Sequence, residues 1–176
     1  MKAQVWIETV LYTLMGIALI GIVLAIATPK INESRDRILV EQTIKSFGVW
    51  DEKIGELIDR GQGNTRNIPA FTMKRGELFI NSTGDEILFV VDGLSKPYSE
   101  VGFEIKEGNI RLTSYQNEKS AYTVLSLRYK NVTNITYGGS DQNRKFTAAS
   151  TSYSFSIKNL GGQPYPQIDI EETSRR

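Results

Sequence analysis

The feature that most constrains this chain lies near its N-terminus: from Thr9 to Pro29 no residue carries a charge. Wound as an α-helix at about 1.5 Å per residue, the run is about 30 Å long, the thickness of a bilayer's hydrocarbon core. Lys2 and Glu8 precede it, and a charged, turn-rich sequence follows. Such a helix needs cover from water, so it implies an anchor, a cleaved signal or the core of an assembly. A cleaved signal normally has a shorter apolar region, about 7–15 residues, although Ala25-Ile26-Ala27 offers a cleavage-like site. An anchor fits the length but leaves Glu8 unexplained. A carboxylate at the bilayer centre costs about 2.5–3.5 kcal/mol, less near the interface, and usually marks function or a partner.

Lys2-Ala3-Gln4-Val5-Trp6-Ile7-Glu8 resembles the class III signal of archaeal type IV pilins and their archaellin-like relatives. In that family a basic and a small residue precede the cut, glutamine opens the mature chain and glutamate stands fifth. The resemblance implies that a prepilin peptidase cuts between Ala3 and Gln4, removing residues 1–3 and leaving the helix on the mature protein. It further implies that Glu8 meets the freed amine of Gln4 on a neighbouring subunit. Trp6 stands where the archaeal pattern often has serine, and Tyr12 where it often has leucine. The likeness is confined to the N-terminal helix; the rest of the chain is compatible with it.

Within the apolar run, Ala18, Gly21 and Ala25 recur at spacings of three and four and share one helix face. Gly21-x-x-x-Ala25 is the small-residue pattern that lets helix backbones approach closely. Pro29 lacks the amide hydrogen and clashes with the preceding turn, which predicts a kink or break near residues 25–29. From Lys30 to Arg60 apolar residues return at helical spacing: Ile31, Ile38, Ile44, Phe47, Ile54, Leu57 and Ile58, widened by Leu39, Val40 and Trp50. This predicts an amphipathic helix over 30–62 lying on a globular head, ended by Gly61-x-Gly63. A heptad coiled coil is the alternative for this half.

After Gly63 the period changes to alternation. Glu77–Ile80 and Glu86–Val91 flank Ser82-Thr-Gly-Asp85, and Val101–Ile105 and Ile110–Tyr115 flank Glu107-Gly-Asn109; both read as hairpins. Tyr122–Tyr129 alternates, Val132–Tyr137 is expected to return beside it, and Gly138 to Lys145 reads as a polar loop. Tyr153, Phe155 and Ile157 share one face of a further strand, and Gln167–Ile170 forms the last. The pattern predicts an α+β protein: a long N-terminal helix, apolar over 4–29, joined to an all-antiparallel β head over 63–176. That head is a sandwich or small barrel of about seven or eight strands.

The chain gives catalysis little to work with. Among 176 residues there is no cysteine and no histidine, which removes thiolate chemistry, the commonest metal ligand and the commonest general base. Net charge is +1 and no basic cluster occurs, so no nucleic-acid partner is expected. The glycine pairs Gly61/Gly63, Gly138/Gly139 and Gly161/Gly162 lack the lysine of a phosphate loop. Asp169, Glu171 and Glu172 lack the spaced loop of a calcium site. No catalytic residue, metal site or cofactor is expected. Four Asn-x-Ser/Thr sequons begin at Asn32, Asn81, Asn131 and Asn134; the three in the head are candidates for N-glycosylation.

The expectation, by resemblance, is a non-enzymatic subunit that is stored in the cytoplasmic membrane and then polymerises into a cell-surface filament used for adhesion or motility. Its partners would be copies of itself, the prepilin peptidase and the assembly machinery, with Gln4, Glu8, Ala18, Gly21 and Ala25 at the contacts. The alternative is an uncleaved single-pass surface protein whose β head binds a ligand.

Overall fold

The computed structural model describes residues 2–173, with side chains from Trp6 onward. One helix, α1 (Lys2–Arg60), runs without interruption through both predicted halves. The break expected at Pro29 does not occur. Proline deletes a single helical hydrogen bond, and the turn before it is braced where the Thr28 hydroxyl donates to the Leu24 carbonyl at 2.7 Å. The helix ends at Gly61, whose φ of +80° suits glycine and whose amide donates to the Leu57 carbonyl at 3.1 Å. Asn159 fixes this end to the head: its side-chain amide also donates to Leu57 O, at 2.8 Å.

Ten strands follow: β1 (Thr65–Phe71), β2 (Glu77–Asn81), β3 (Glu86–Leu94), β4 (Glu104–Glu107), β5 (Ile110–Gln116), β6 (Ala121–Arg128), β7 (Asn134–Tyr137), β8 (Arg144–Thr147), β9 (Tyr153–Gly161) and β10 (Gln167–Glu172). They form two sheets, ordered β1-β9-β10-β7 and β4-β5-β6-β3-β2-β8, with no closed barrel. The hairpin β2–β3 pairs Asn81 with Glu86 across a short 3-10 turn, with Asp85 left-handed at φ 50°. The hairpin β4–β5 turns tightly at Gly108-Asn109. Three expectations are corrected. The sheets are not wholly antiparallel, because β7 runs parallel to β10, Asn134 beside Gln167 through Tyr137 beside Ile170. The long excursion between those strands makes a parallel neighbour reachable. For the same reason Val132–Tyr137 does not return beside β6. Finally, the polar loop from Gly138 holds only to Asn143, and its expected last residues, Arg144 and Lys145, open β8, an edge strand on β2.

The C-terminal half of α1 packs against strands of both sheets. Val40, Ile44, Phe47, Trp50, Ile54 and Leu57 are fully or almost fully buried, at the spacing of three and four that keeps one helix face inward. Trp50 sits at the centre, its ring 4.9 Å from that of Phe155 and 5.6 Å, edge-on, from Phe71. Ile31 and Ile38, expected in the same stripe, are half exposed, at 49% and 50%.

Candidate assembly surface

The residues the sequence singles out for assembly fall on a part of α1 whose large apolar side chains, from Trp6 to Ile26, stay exposed. Fourteen large apolar side chains, from Trp6 to Ile26, are exposed by 40% or more. Full burial of such a side chain stabilises by about 1.5–3 kcal/mol, and the helix itself already covers part of each, so the arm forgoes on the order of 10–25 kcal/mol when left in water. A soluble monomer cannot ignore a term as large as the usual net stability of a domain, about 5–15 kcal/mol. The arm is therefore an unfinished interface with lipid or protein. By length and composition it could cross a membrane.

Ala18, Gly21 and Ala25 are exposed along this arm, and a Cβ built on Gly21 would meet nothing within 4 Å. The small-residue face is thus open to a neighbouring backbone. Glu8 lies nearly two turns into the helix, on its exposed surface. Ala3 and Gln4 lie in the helical backbone, but their side chains are outside the described residues, so the Gln4–Glu8 pairing has no geometry here. In the arm the Thr13 hydroxyl donates to Thr9 O at 2.8 Å, satisfying a polar group where no water would be available.

The arm is held to the head by a latch that sequence reasoning missed. Asp36 is 8% exposed; its carboxylate accepts from the Arg75 guanidinium at 2.5 Å, and from the Ser95 amide at 2.7 Å and hydroxyl at 2.6 Å. Burial pushes this carboxyl's pKa up, but the bonds from Ser95 and Arg75 outweigh it, and the net shift is downward. Arg75 also donates to Gly93 O at 2.7 Å, and Lys96 reaches Glu33 at 2.9 Å. The signal was present: Asp36 stands four residues before Val40, in phase with the buried stripe. At the other end of the packed half, Arg66 and Lys53 hold the Glu56 carboxyl down to about 2. Asp51 accepts from Asn109 and Tyr129, and burial followed by the Asp51 charge drives the Tyr129 phenol strongly upward.

The three head sequons differ in access. The Asn81 side chain is consumed by its turn, accepting from Gly84 N at 3.2 Å and donating to Glu86 at 2.8 Å. Asn134 is half buried at the start of β7. Asn131 is exposed, in a left-handed turn at φ 65°. Asn32, on α1, is also exposed.

Among the described residues no three acidic groups cluster as metal ligands. Asp169 instead accepts from the Thr136 hydroxyl and the Gly139 amide, and Glu171 pairs with Lys158. No family model, curated protein or solved structure matches the chain.

Proposed function

We propose that this chain is a pilin-like structural subunit, which polymerises through its N-terminal helix into a cell-surface filament similar to archaeal type IV pili. One observation carries the proposal: an apolar helical arm, begun by a carboxylate and lined with small residues, projects wholly uncovered from a β head. In the membrane the arm is stored as a spanning segment. In the filament the arms bundle, exchanging lipid contacts for one another, and the heads remain outside. Glu8 then needs a cation in apolar surroundings, and the amine of Gln4, freed by cleavage after Ala3, supplies it. Function follows from the polymer, as adhesion or motility, and not from a catalytic site. Asn131, the open sequon of the head, is the position at which an exported head would carry a glycan.

Two measurements test the reading. Mass mapping of the mature N-terminus should place it at Gln4. Glu8→Gln keeps the shape and removes the charge; stranding one member of a buried pair costs roughly 3–5 kcal/mol. Membrane insertion and head folding should survive while filaments disappear from the surface in electron micrographs. Normal filaments from Glu8→Gln, or a mature chain that retains Met1, would instead favour a single-pass anchored surface protein, the reading that the length of the apolar helix supports by itself.

A further inference from the structure

Strand β4 is a bare sheet edge. Its residues are all exposed, and it pairs with β5 on one side only. Ile105 stands opposite Leu112 and points to the same face, yet Leu112 is 1% exposed and Ile105 41%. Val101 and Phe103, at alternate positions before it, are exposed as well. The other sheet edges differ: in β1, β7 and β8 the apolar Ile68, Phe71, Ile135 and Phe146 are buried.

The hydrogen-bond phase of this edge follows from its neighbours. The Asn117 amide donates to Ser120 O at 2.8 Å, closing the β5–β6 hairpin. Counting back by two, Tyr115, Thr113 and Arg111 bond to β6, which leaves Leu112 and Ile110 to bond with β4. Their partners there are Ile105 and Glu107. Glu104 and Lys106 therefore aim their amides and carbonyls off the edge, where a further strand can take them up.

A second β4 fits. Laid antiparallel, the outward-bonding residues must face each other, so Glu104 meets Glu104, Lys106 meets Lys106, or Glu104 meets Lys106. The first two registers set like charges against each other. The third sets acid against base twice and places the two Ile105 side chains together, with a Phe103 on either flank. Lys106 carries no ion pair among the described residues. Glu104 accepts from Arg111 at 2.8 Å through one oxygen, and its other oxygen lies 3.6 Å from Arg128.

We infer that β4 pairs with β4 of a second copy of this chain across a two-fold axis at Ile105, joining two six-stranded sheets into one. Direction gives the pairing its meaning. α1 runs alongside β4 the same way: Arg37 lies over the Tyr98 ring before the strand, and Asp51 accepts from Asn109 after it. The two-fold axis reverses strand and helix together, so the arms of the two copies leave in opposite directions. The pair joins heads carried on opposed surfaces, or on filaments running opposite ways, and it closes at two. It requires neither cleavage nor packing of the arms, and so stands or falls apart from the filament reading. So short an edge holds one pair of heads weakly, and an array of heads multiplies the hold.

Because the chain has no cysteine, disulfide trapping of the full-length protein in detergent reads the register. Facing residues of a non-hydrogen-bonded antiparallel pair have Cα atoms about 4.5 Å apart, within reach of a disulfide. Under mild oxidation Ile105→Cys should dimerise severalfold faster than Asp141→Cys, on an exposed loop of the head. Phe103→Cys and Glu107→Cys should dimerise slowly alone and form a mixed dimer together. Adding Lys106→Glu to the Ile105→Cys chain should slow trapping severalfold, and adding Glu104→Lys as well should restore it. Trapping of Ile105→Cys no faster than that of Asp141→Cys would overturn the pairing. Equal homodimers from Phe103→Cys, Ile105→Cys and Glu107→Cys would mean parallel strands and overturn the opposed arms. Trapping unchanged by Lys106→Glu would overturn the register.

Discussion

The two halves of α1 share one backbone and have opposite relations to water. From Val10 to Ile26 the helix carries no charge, is apolar on every side, and its large side chains are all exposed. From Asp36 to Leu57 it is apolar along one stripe and that stripe is sealed into the head. A helix that is apolar all round is built for a surround that is apolar all round, whereas a striped helix is built for one contact surface. The difference locates the head's stability in the second half alone and leaves the first half's burial energy for lipid or other subunits. The latch at Asp36 marks the border.

The sharpest way to break this comparison is to make the same kind of cut in both halves. Trp50→Ala removes the largest fully buried side chain and should cost the head about 3–5 kcal/mol. Ile17→Ala, in the arm, should leave the head's stability unchanged within about 0.5 kcal/mol. Both are read by denaturant unfolding of the full chain in detergent, followed by near-ultraviolet circular dichroism. Equal losses would mean that arm and head are one cooperative unit.

Next in size is the latch. Asp36→Asn keeps the shape but removes the charge facing the Arg75 guanidinium and weakens three hydrogen bonds, and should cost about 1.5–3 kcal/mol. Acid should act in the same direction. Asp36 and Glu56 both have folded-state values below their ordinary ones, 3.8 and 4.5. On acidification the unfolded chain takes up protons first, so the stabilisation is complete above about pH 4.5 and drains away as pH falls toward about 2. Unfolding midpoints measured from pH 6 to pH 2 should fall in that window, and less steeply in Asp36→Asn. A midpoint that rises on acidification would refute the latch.

The division of the helix was legible in the sequence because it is written in period: no charge over one run, then a stripe at three and four. The hairpins β2–β3 and β4–β5 were legible because turn chemistry and alternation coincide at Ser82–Asp85 and Gly108-Asn109. Strands β1 and β8 were not. In β1 only Ile68 and Phe71 are buried, and Pro69 sits between them; in β8 only Phe146 is, among Arg144, Lys145 and Thr147. Edge strands with one face in water carry too few apolar residues to show a period. The parallel pairing of β7 with β10 depends on contacts across more than thirty residues, which no local pattern encodes. Ile31 and Ile38 have the right spacing for the inward stripe, but Asp36, Val40 and Phe47 take that side, and a one-dimensional pattern does not say which of two faces the head will cover.

A smaller effect separates the packed half from the strand that follows. Gly61 ends α1 at φ +80°, with open space where a side chain would go. Gly61→Ala therefore meets no clash and pays only for the left-handed backbone, about 1–2 kcal/mol. Thermal unfolding should shift down by a few degrees with the fold unchanged. A loss as large as that of Trp50→Ala would mean that this turn does more than close the helix.

The smallest effect on the head should come from the residue with the largest intrinsic penalty in a helix. Proline in a helix interior is about 3 kcal/mol less favourable than alanine, and Pro29 lies inside α1. Were the helix a single cooperative unit, Pro29→Ala would raise the stability of the whole chain by a comparable amount. But Pro29 lies before the latch, in the stretch that the head does not cover, and local opening there is independent of head unfolding. The head's melting temperature in Pro29→Ala should stay within about a degree of the parent. The gain should appear only locally, as slower amide hydrogen exchange over residues 25–33, measured on the full chain in detergent micelles. A head that melts several degrees higher in Pro29→Ala would show that order is transmitted across Asp36, and the border between the two halves would have to be moved toward the N-terminus.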